Sequence, residues 1–347
     1  MSGTLPMKEL QVVIDEVKAR LSDRPKLAKL FENCYPNTLA TTTKILEDGS
    51  TFVFTGDIPA MWLRDSSAQV RHYIGAAKRF PEVAELIEGL LKKQMFCIQL
   101  DPYANAYNGE FKKTAELVME LWTKEQNHPE DSDYYFIRKN CPPTDTLSHE
   151  GKGAPVAVTG MTWSGFRPSD DACVYGYLVP SNMFASVVLG YLSEIFREIY
   201  HDEAAAAKAE KLQGEIDEGI RKYGIVEHEK FGKIYAYETD GMGHYTLMDD
   251  ANVPSLLSIP YLGWCKADDE IYQNTRRFVL SSNNPFYYEG KVLKGVGSPH
   301  TPPRYVWHIA LSMQGLTSSD REEQEELLKL LENSDAGTGY MLSLIHI

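Results

Sequence analysis

The chain has 347 residues, 43% of them hydrophobic, enough for one large core or two ordinary ones and too apolar for a disordered protein. A formal net charge of -14 and a pI near 5.2 argue against nucleic acid or an anionic membrane surface as partner, because both demand a basic face. The five cysteines (Cys34, Cys97, Cys141, Cys173, Cys265) are scattered and lack C-x-x-C spacing, which supports neither a disulfide framework nor a zinc knuckle. No stretch approaches a membrane span and no leader pattern opens the chain, so a reducing, cytoplasmic location is expected.

In chain order, Leu10, Val13, Ile14, Val17 and Leu21 define an apolar face on a helix over Met7 to Leu21. Residues 39–54 are rich in β-branched side chains and pivot on Asp48-Gly49, which predicts a hairpin. Further helices are predicted at Pro81 to Ile98, Phe111 to Lys124, Ser181 to Tyr200, Glu203 to Tyr223, Asn252 to Leu262, Asp268 to Leu280, Tyr305 to Leu316 and Asp320 to Leu331. A second hairpin is expected over Gly224 to Tyr237, turning at Lys230-Phe231-Gly232. No linker or low-complexity tract divides the chain, so a single helical domain with small β-hairpins in its loops is expected. A rhythm of helix, functional loop, helix fits a toroid of paired helices whose pocket is built from loops at one end.

Chemistry concentrates in the loops. Thr55 to Arg71 brings Asp57, Trp62, Arg64 and Asp65 together, a set that can grip a polyhydroxylated ring by bidentate hydrogen bonds and an aromatic wall. The plainer alternative is a helix start, with Asp65 or Ser66 as N-cap. Thr159 to Cys173 places adjacent Asp170 and Asp171 beside Arg167, Trp163 and Phe166. Like charges and burial against rings can raise a carboxyl pKa enough for general-acid work, whereas the alternative is that Ser169 caps a short helix. Glu238 to Pro254 holds Asp249, Asp250 and Asn252, a weak calcium pattern without EF-hand spacing that serves equally as a helix cap. Ser281 to Pro303 adds Asn283, Asn284, Tyr287, Tyr288, Glu289, His300 and Thr301, and residues 101–108 form a further polar turn. No G-x-S-x-G elbow, P-loop, G-x-G-x-x-G or H-E-x-x-H occurs, which leaves acids, aromatics and amides, the palette of carbohydrate chemistry.

The runs Thr55 to Val70, Asp101 to Asn108, Thr159 to Ala172 with Tyr175 to Phe184, Met248 to Leu257, Asn284 to Pro285 and Gly297 to Pro302 resemble those of the glycoside hydrolase family 125 exo-α-mannosidases. That resemblance implies a six-hairpin (α/α)6 barrel and a metal-independent enzyme with no cofactor. Its substrate would be an oligosaccharide ending in α-1,6-linked mannose, of N-glycan or mannan type, cleaved with inversion. An acid would protonate the leaving oxygen while a second carboxylate, roughly 6.5 to 9.5 Å away, activates water. Carried over by residue, Asp170 is the acid and Asp171 its orienting neighbour. Asp57, Trp62, Arg64 and Asp65 hold the terminal mannose, with Arg167 and His300 contributing.

Two departures stand out. The family's segment matching Gly337 to Met341 continues into His and Glu, the Glu being the general base, whereas here Leu342 to Ile347 follow. The expected domain is therefore an incomplete barrel over residues 1–341 with a tail at 342–347 that reads as a truncated or misread frame. Asn108 also runs directly toward the helix at Phe111, where the family has an acid-rich loop and about two further helices, so a hairpin of the ring would be missing. A chain crippled by loss of its base is expected. Two alternatives are a mannose-binding remnant without turnover and a sugar epimerase or isomerase on an (α/α) barrel, the latter needing a proton relay for which His244 and His300 are the pocket candidates.

Overall fold

A computed structural model describes residues 4–55, 60–100, 111–342 and 344–346. The protein is mostly helical with small antiparallel sheets, as the periodicity predicts. Its contacts cluster into two compact units, residues 1–118 with 335–341 and residues 119–334 with 342–347.

The first unit contains α1 (Met7–Arg20), α2 (Pro25–Cys34), α3 (Asn37–Thr42), the hairpin β1 (Thr43–Ile45) and β2 (Thr51–Val53), α4 (Leu63–Arg71), α5 (Ile74–Ala77) and α6 (Pro81–Leu100). The hairpin turns where Asp48-Gly49 predicts. Gly49 takes φ +79°, a left-handed conformation that suits glycine, and Asp48 accepts the Ser50 N–H and hydroxyl. Residues 39–42, read as the start of that hairpin, belong instead to α3, which the sequence reading missed along with α2. Leu10, Leu39, Val53, Met61, Val70, Tyr73, Val83, Leu86 and Leu90 form the core of this unit. Tyr73 is completely buried and donates its hydroxyl to the Tyr35 carbonyl at 2.7 Å, so its phenol carries no unsatisfied polar atom into that core.

The chain passes into the second unit within α7 (Phe111–Glu125). There follow α8 (His128–Asp131), the single turn α9 (Ser148–Gly151), strand β3 (Tyr177–Leu178) and the long pair α10 (Val179–Glu198) and α11 (Glu203–Tyr223). Asp202 caps α11 through the Ala205 N–H. Next come the predicted second hairpin, β4 (Ile225–His228) with β5 (Gly232–Tyr235), then β6 (Glu238–Thr239) and β7 (Tyr245–Thr246), which join β3 in a three-stranded sheet. The remainder comprises α12 (Ile259–Leu262), α13 (Glu270–Val279), the hairpin β8 (Tyr287–Glu289) and β9 (Lys294–Val296), β10 (Tyr305–Trp307), α14 (His308–Leu316), α15 (Arg321–Asn333) and β11 (Leu344–His346).

Two predicted helices are shorter than their patterns. Over 252–258 the chain is irregular, because Pro254 disfavours helix at the residue before it and the Leu256 and Leu257 amides donate to the Asp249 carboxylate instead of to helical carbonyls. Residues 305–307 form a strand paired with β11, Tyr305 opposite His346 and Trp307 opposite Leu344, so the helix starts only at His308.

Candidate active site

The predicted site residues fall in both units. In the first, Thr55 is bonded to residues 60 and 62 just ahead of α4. The Thr55 N–H donates to the Ala60 carbonyl and the Thr55 hydroxyl accepts the Trp62 N–H at 3.1 Å. Asp57 lies outside the described residues. Trp62 itself occupies the N-cap position of α4 and no side chain caps it, so the alternative in which Asp65 or Ser66 caps that helix is not realised; Asp65 lies in the first turn, where a carboxylate complements the helix dipole. The Arg64 guanidinium lies over the Trp62 indole at 5.4 Å and meets Asp65 at 3.2 Å, so these three predicted residues form one group. Gln94 of α6 anchors that turn, donating to the Ser66 and Ser67 hydroxyls at 2.9 and 2.7 Å.

In the second unit Arg167, Asp170, Asp171 and His300 come together around a tight turn. The Arg167 N–H donates to the Asp171 carbonyl and the Asp170 N–H to the Arg167 carbonyl, at 2.7 and 3.0 Å. Asp170 has φ +70°, a conformation uncommon outside glycine but tolerated by Asp. Its carboxyl-bearing residue is exposed while Arg167, Ser169 and Asp171 are buried. No helix is present for Ser169 to cap; its hydroxyl donates to Asp250 at 2.6 Å.

A ring of hydrogen bonds surrounds the turn. Asp250 is bonded to Ser298 as well as to Ser169, the Ser298 hydroxyl accepts the His300 N–H at 3.2 Å, and the His300 ring meets Asp171 at 3.0 Å. Both sequence neighbours of Asp170 are thereby tied to the same pair of loops. The second Asp171 oxygen is buried without a protein partner. Burial pushes the Asp249 carboxyl up to about 7 and raises that of Asp250, against the hydrogen bonds each accepts. The calcium pattern at 249–252 is not built. Asp249 uses its two oxygens on the Leu256 and Leu257 amides, and Asp250 uses its own on Ser169 and Asn252. Among the described residues no group of three or more His, Cys, Asp or Glu is arranged to hold a metal ion.

Sequence reasoning missed Glu238. It is completely buried on β6, one oxygen 2.6 Å from the Arg167 Nε, the other accepting the Val174 and Tyr175 N–H groups and the Thr246 hydroxyl. Burial pulls the Arg167 pKa down, but the pair with Glu238 outweighs it and holds the guanidinium above its ordinary value. Tyr237, Glu238 and Thr239 are all buried, so no alternation marks the glutamate as inward. His244 pairs with Asp240 at 2.7 Å and, though 66% exposed at the side chain, is used by the β6–β7 hairpin rather than by the ring around Asp170.

A mostly helical scaffold whose loops carry carboxylates, guanidinium groups and aromatic rings suits a carbohydrate-active protein. The sequence profile of the metal-independent α-mannosidases, glycoside hydrolase family 125, matches residues 24–117 and 108–347, and the chain belongs to that family. It is 45% identical to a Streptococcus pneumoniae structure described among the metal-independent α-mannosidases as a non-productive complex with α-1,6-mannobiose. The likeness covers 99% of this chain and 92% of that one, with a TM-score of 0.95. It is also 38% identical to the meiotically up-regulated gene 157 protein of Schizosaccharomyces pombe over 410 residues, covering 97% of this chain and 80% of that protein. The protein is thus a glycosidase by family, with the fold of its mannosidases.

Proposed function

We propose that this chain acts on terminal α-1,6-linked mannose of an oligosaccharide, with Asp170 as the general acid of an inverting cleavage. The observation that carries the reading is the placement of Asp170. Its two neighbours are buried and bonded, and it alone of the turn is presented to solvent. Protonation of the glycosidic oxygen by this carboxyl would let the C1–O bond break while water enters C1 from the opposite face. Arg64 and Asp65, with Asp57, are proposed to hold the hydroxyls of the terminal mannose with Trp62 against its ring, and Arg167, Asp171 and His300 to support the acid. The α-1,6-mannobiose bound by the S. pneumoniae relative supports the choice of linkage.

We further propose that turnover by the 347-residue sequence is slow, since residues 342–347 supply no carboxylate where the family resemblance places the base. One general base contributes about 10² to 10⁴ in rate. Residues missing after Asn108 are supported by two findings. The alignment with the S. pombe protein, at 410 residues, is longer than this whole chain, and the family profile matches in two stretches that meet at 108–117. A mannose-binding protein without turnover is the second reading, and the absent carboxylate favours it.

Incubation with α-1,6-mannobiose, followed by anomeric proton NMR with and without added azide, tests both. Slow release of β-mannose in water and faster formation of β-mannosyl azide are expected, because azide needs no base to attack C1. Retained α configuration would overturn inversion, and water hydrolysis at an ordinary enzymatic rate would overturn the missing base. Calorimetric binding of mannobiose with no cleavage in either medium would leave the binding reading.

A further inference from the structure

The turn that presents Asp170 is the tip of a short hairpin. Phe166 and Ala172 form an isolated antiparallel bridge, and the Cys173 N–H donates to the Gly165 carbonyl at 2.9 Å. Within it the Arg167 carbonyl receives the Asp170 N–H. Glu238 grips both arms at once. Its Oε1 meets the Arg167 side chain on the incoming arm at 2.6 Å, and its Oε2 receives the backbone N–H groups of Val174 and Tyr175 on the outgoing arm at 3.1 and 3.3 Å. The carboxylate rests on a fixed support, since Glu238 pairs with Leu178 of β3 and with Thr246 of β7 in the three-stranded sheet, and the Thr246 hydroxyl adds a bond at 3.2 Å. Opening one arm relative to the other would move the Arg167 carbonyl and release the φ +70° conformation that depends on it.

We infer that Glu238 is a positioning residue for Asp170, clamping both arms of the 165–175 hairpin so that the turn at its tip holds that carboxyl in place. This rests on the reading of Asp170 as the acid. Glu238 is buried, with Arg167 on one oxygen and the two amides on the other, and a glutamine there would keep one acceptor and face the other partners with an N–H₂ group. A displaced acid costs rate only where the leaving group needs a proton.

The test compares azide-supported cleavage of α-1,6-mannobiose, whose leaving alkoxide needs a proton, with that of 2,4-dinitrophenyl α-mannoside, whose phenolate does not. In each case azide forms the C1–N bond as the C1–O pair departs with the leaving oxygen. E238Q should slow the first substrate about 10- to 100-fold and the second less than about threefold. D170N should show the same selectivity, and E238Q should add little to it. Because E238Q leaves a buried guanidinium less well compensated, E238D, which keeps the charge but shortens the reach, is run beside it and should fall between wild type and E238Q. Equal slowing of both substrates by both Glu238 variants, or no slowing, overturns the positioning role if D170N is selective. An unselective D170N overturns the acid reading, and the inference with it. A crystal structure of E238Q decides independently of turnover, since an unchanged hairpin with Asp170 still near φ +70° overturns the clamp.

Discussion

Ser169 and Asp250, 81 residues apart in sequence, meet through a 2.6 Å hydrogen bond in which the serine hydroxyl donates to a carboxylate only 1% exposed. That bond joins the turn before Asp170 to the loop that also reaches Ser298. Removing the donor leaves Asp250 with less compensation for its burial, and S169A should cost about 1.5–3 kcal/mol, the range for hydrogen bonds to charged groups. Guanidinium unfolding should show a lower midpoint with an unchanged slope. The Asp250 carboxyl should also titrate higher than in the parent, because the Ser169 bond opposes the upward push of burial. A midpoint equal to that of the parent would contradict this account.

Two glycines in α11 make opposite predictions for the same substitution. At Gly219 an added Cβ would lie 2.6 Å from the Thr159 carbonyl oxygen and 3.1 Å from the Met161 nitrogen, backbone atoms that cannot step aside cheaply. At Gly214 nothing lies within 4 Å. G219A should therefore destabilise by about 1–3 kcal/mol through overpacking, whereas G214A should stabilise by about 0.5–1 kcal/mol through helix propensity. Thermal unfolding of the pair checks the sign of each, and equal shifts would show that the close approach of α11 to residues 159–161 is unimportant.

His128 is buried on α8 with its two ring nitrogens placed against Glu125 at 2.6 Å and the Lys152 carbonyl at 2.9 Å, and its ring is stacked 3.6 Å from Trp163. Ser132 supplies the other Glu125 oxygen with a hydroxyl at 2.7 Å. H128A should cost about 1.5–3 kcal/mol, the range for a hydrogen bond to a charged group. The double variant H128A/E125A should lose less than the sum of the two single losses, since each single change strands the other group. Strict additivity in denaturant unfolding would argue that the two side chains act separately.

Asp249 supplies a pH dependence of defined sign. Burial raises its carboxyl from an ordinary 3.8 to about 7 in the folded chain, so the native state holds a proton that the unfolded state releases. Stability from this group is fully present below about pH 4 and declines as pH rises through about 7, where the buried carboxyl must ionise. D249N cannot ionise. It should be less stable at low pH, having lost an acceptor for the Leu256 or Leu257 amide, yet show a flatter stability profile between about pH 4 and pH 7. Parallel profiles for parent and variant across that window would remove Asp249 as the cause.

The sequence by itself determined most helices and two of the hairpins, because those depend on neighbours within a few residues. Apolar spacing places α1, α6, α11 and α15, Asp320 caps α15 by accepting the Glu322 and Glu323 amides, and Asp48-Gly49 turns the first hairpin. It also brought Trp62, Arg64 and Asp65 together at one helix start and Asp170 and Asp171 into one turn, since each set spans only a few residues. Only the tertiary structure decided what surrounds Asp170. Arg167 finds Glu238 across 71 residues, and Asp171 finds His300 across 129. The same long-range bonding turned 252–258 away from helix, where a buried carboxylate claims two amides that a periodic pattern assigns to helical carbonyls. A buried charge must find its counter-charge or its donors wherever the fold brings them, and no local pattern records which distant residue that is.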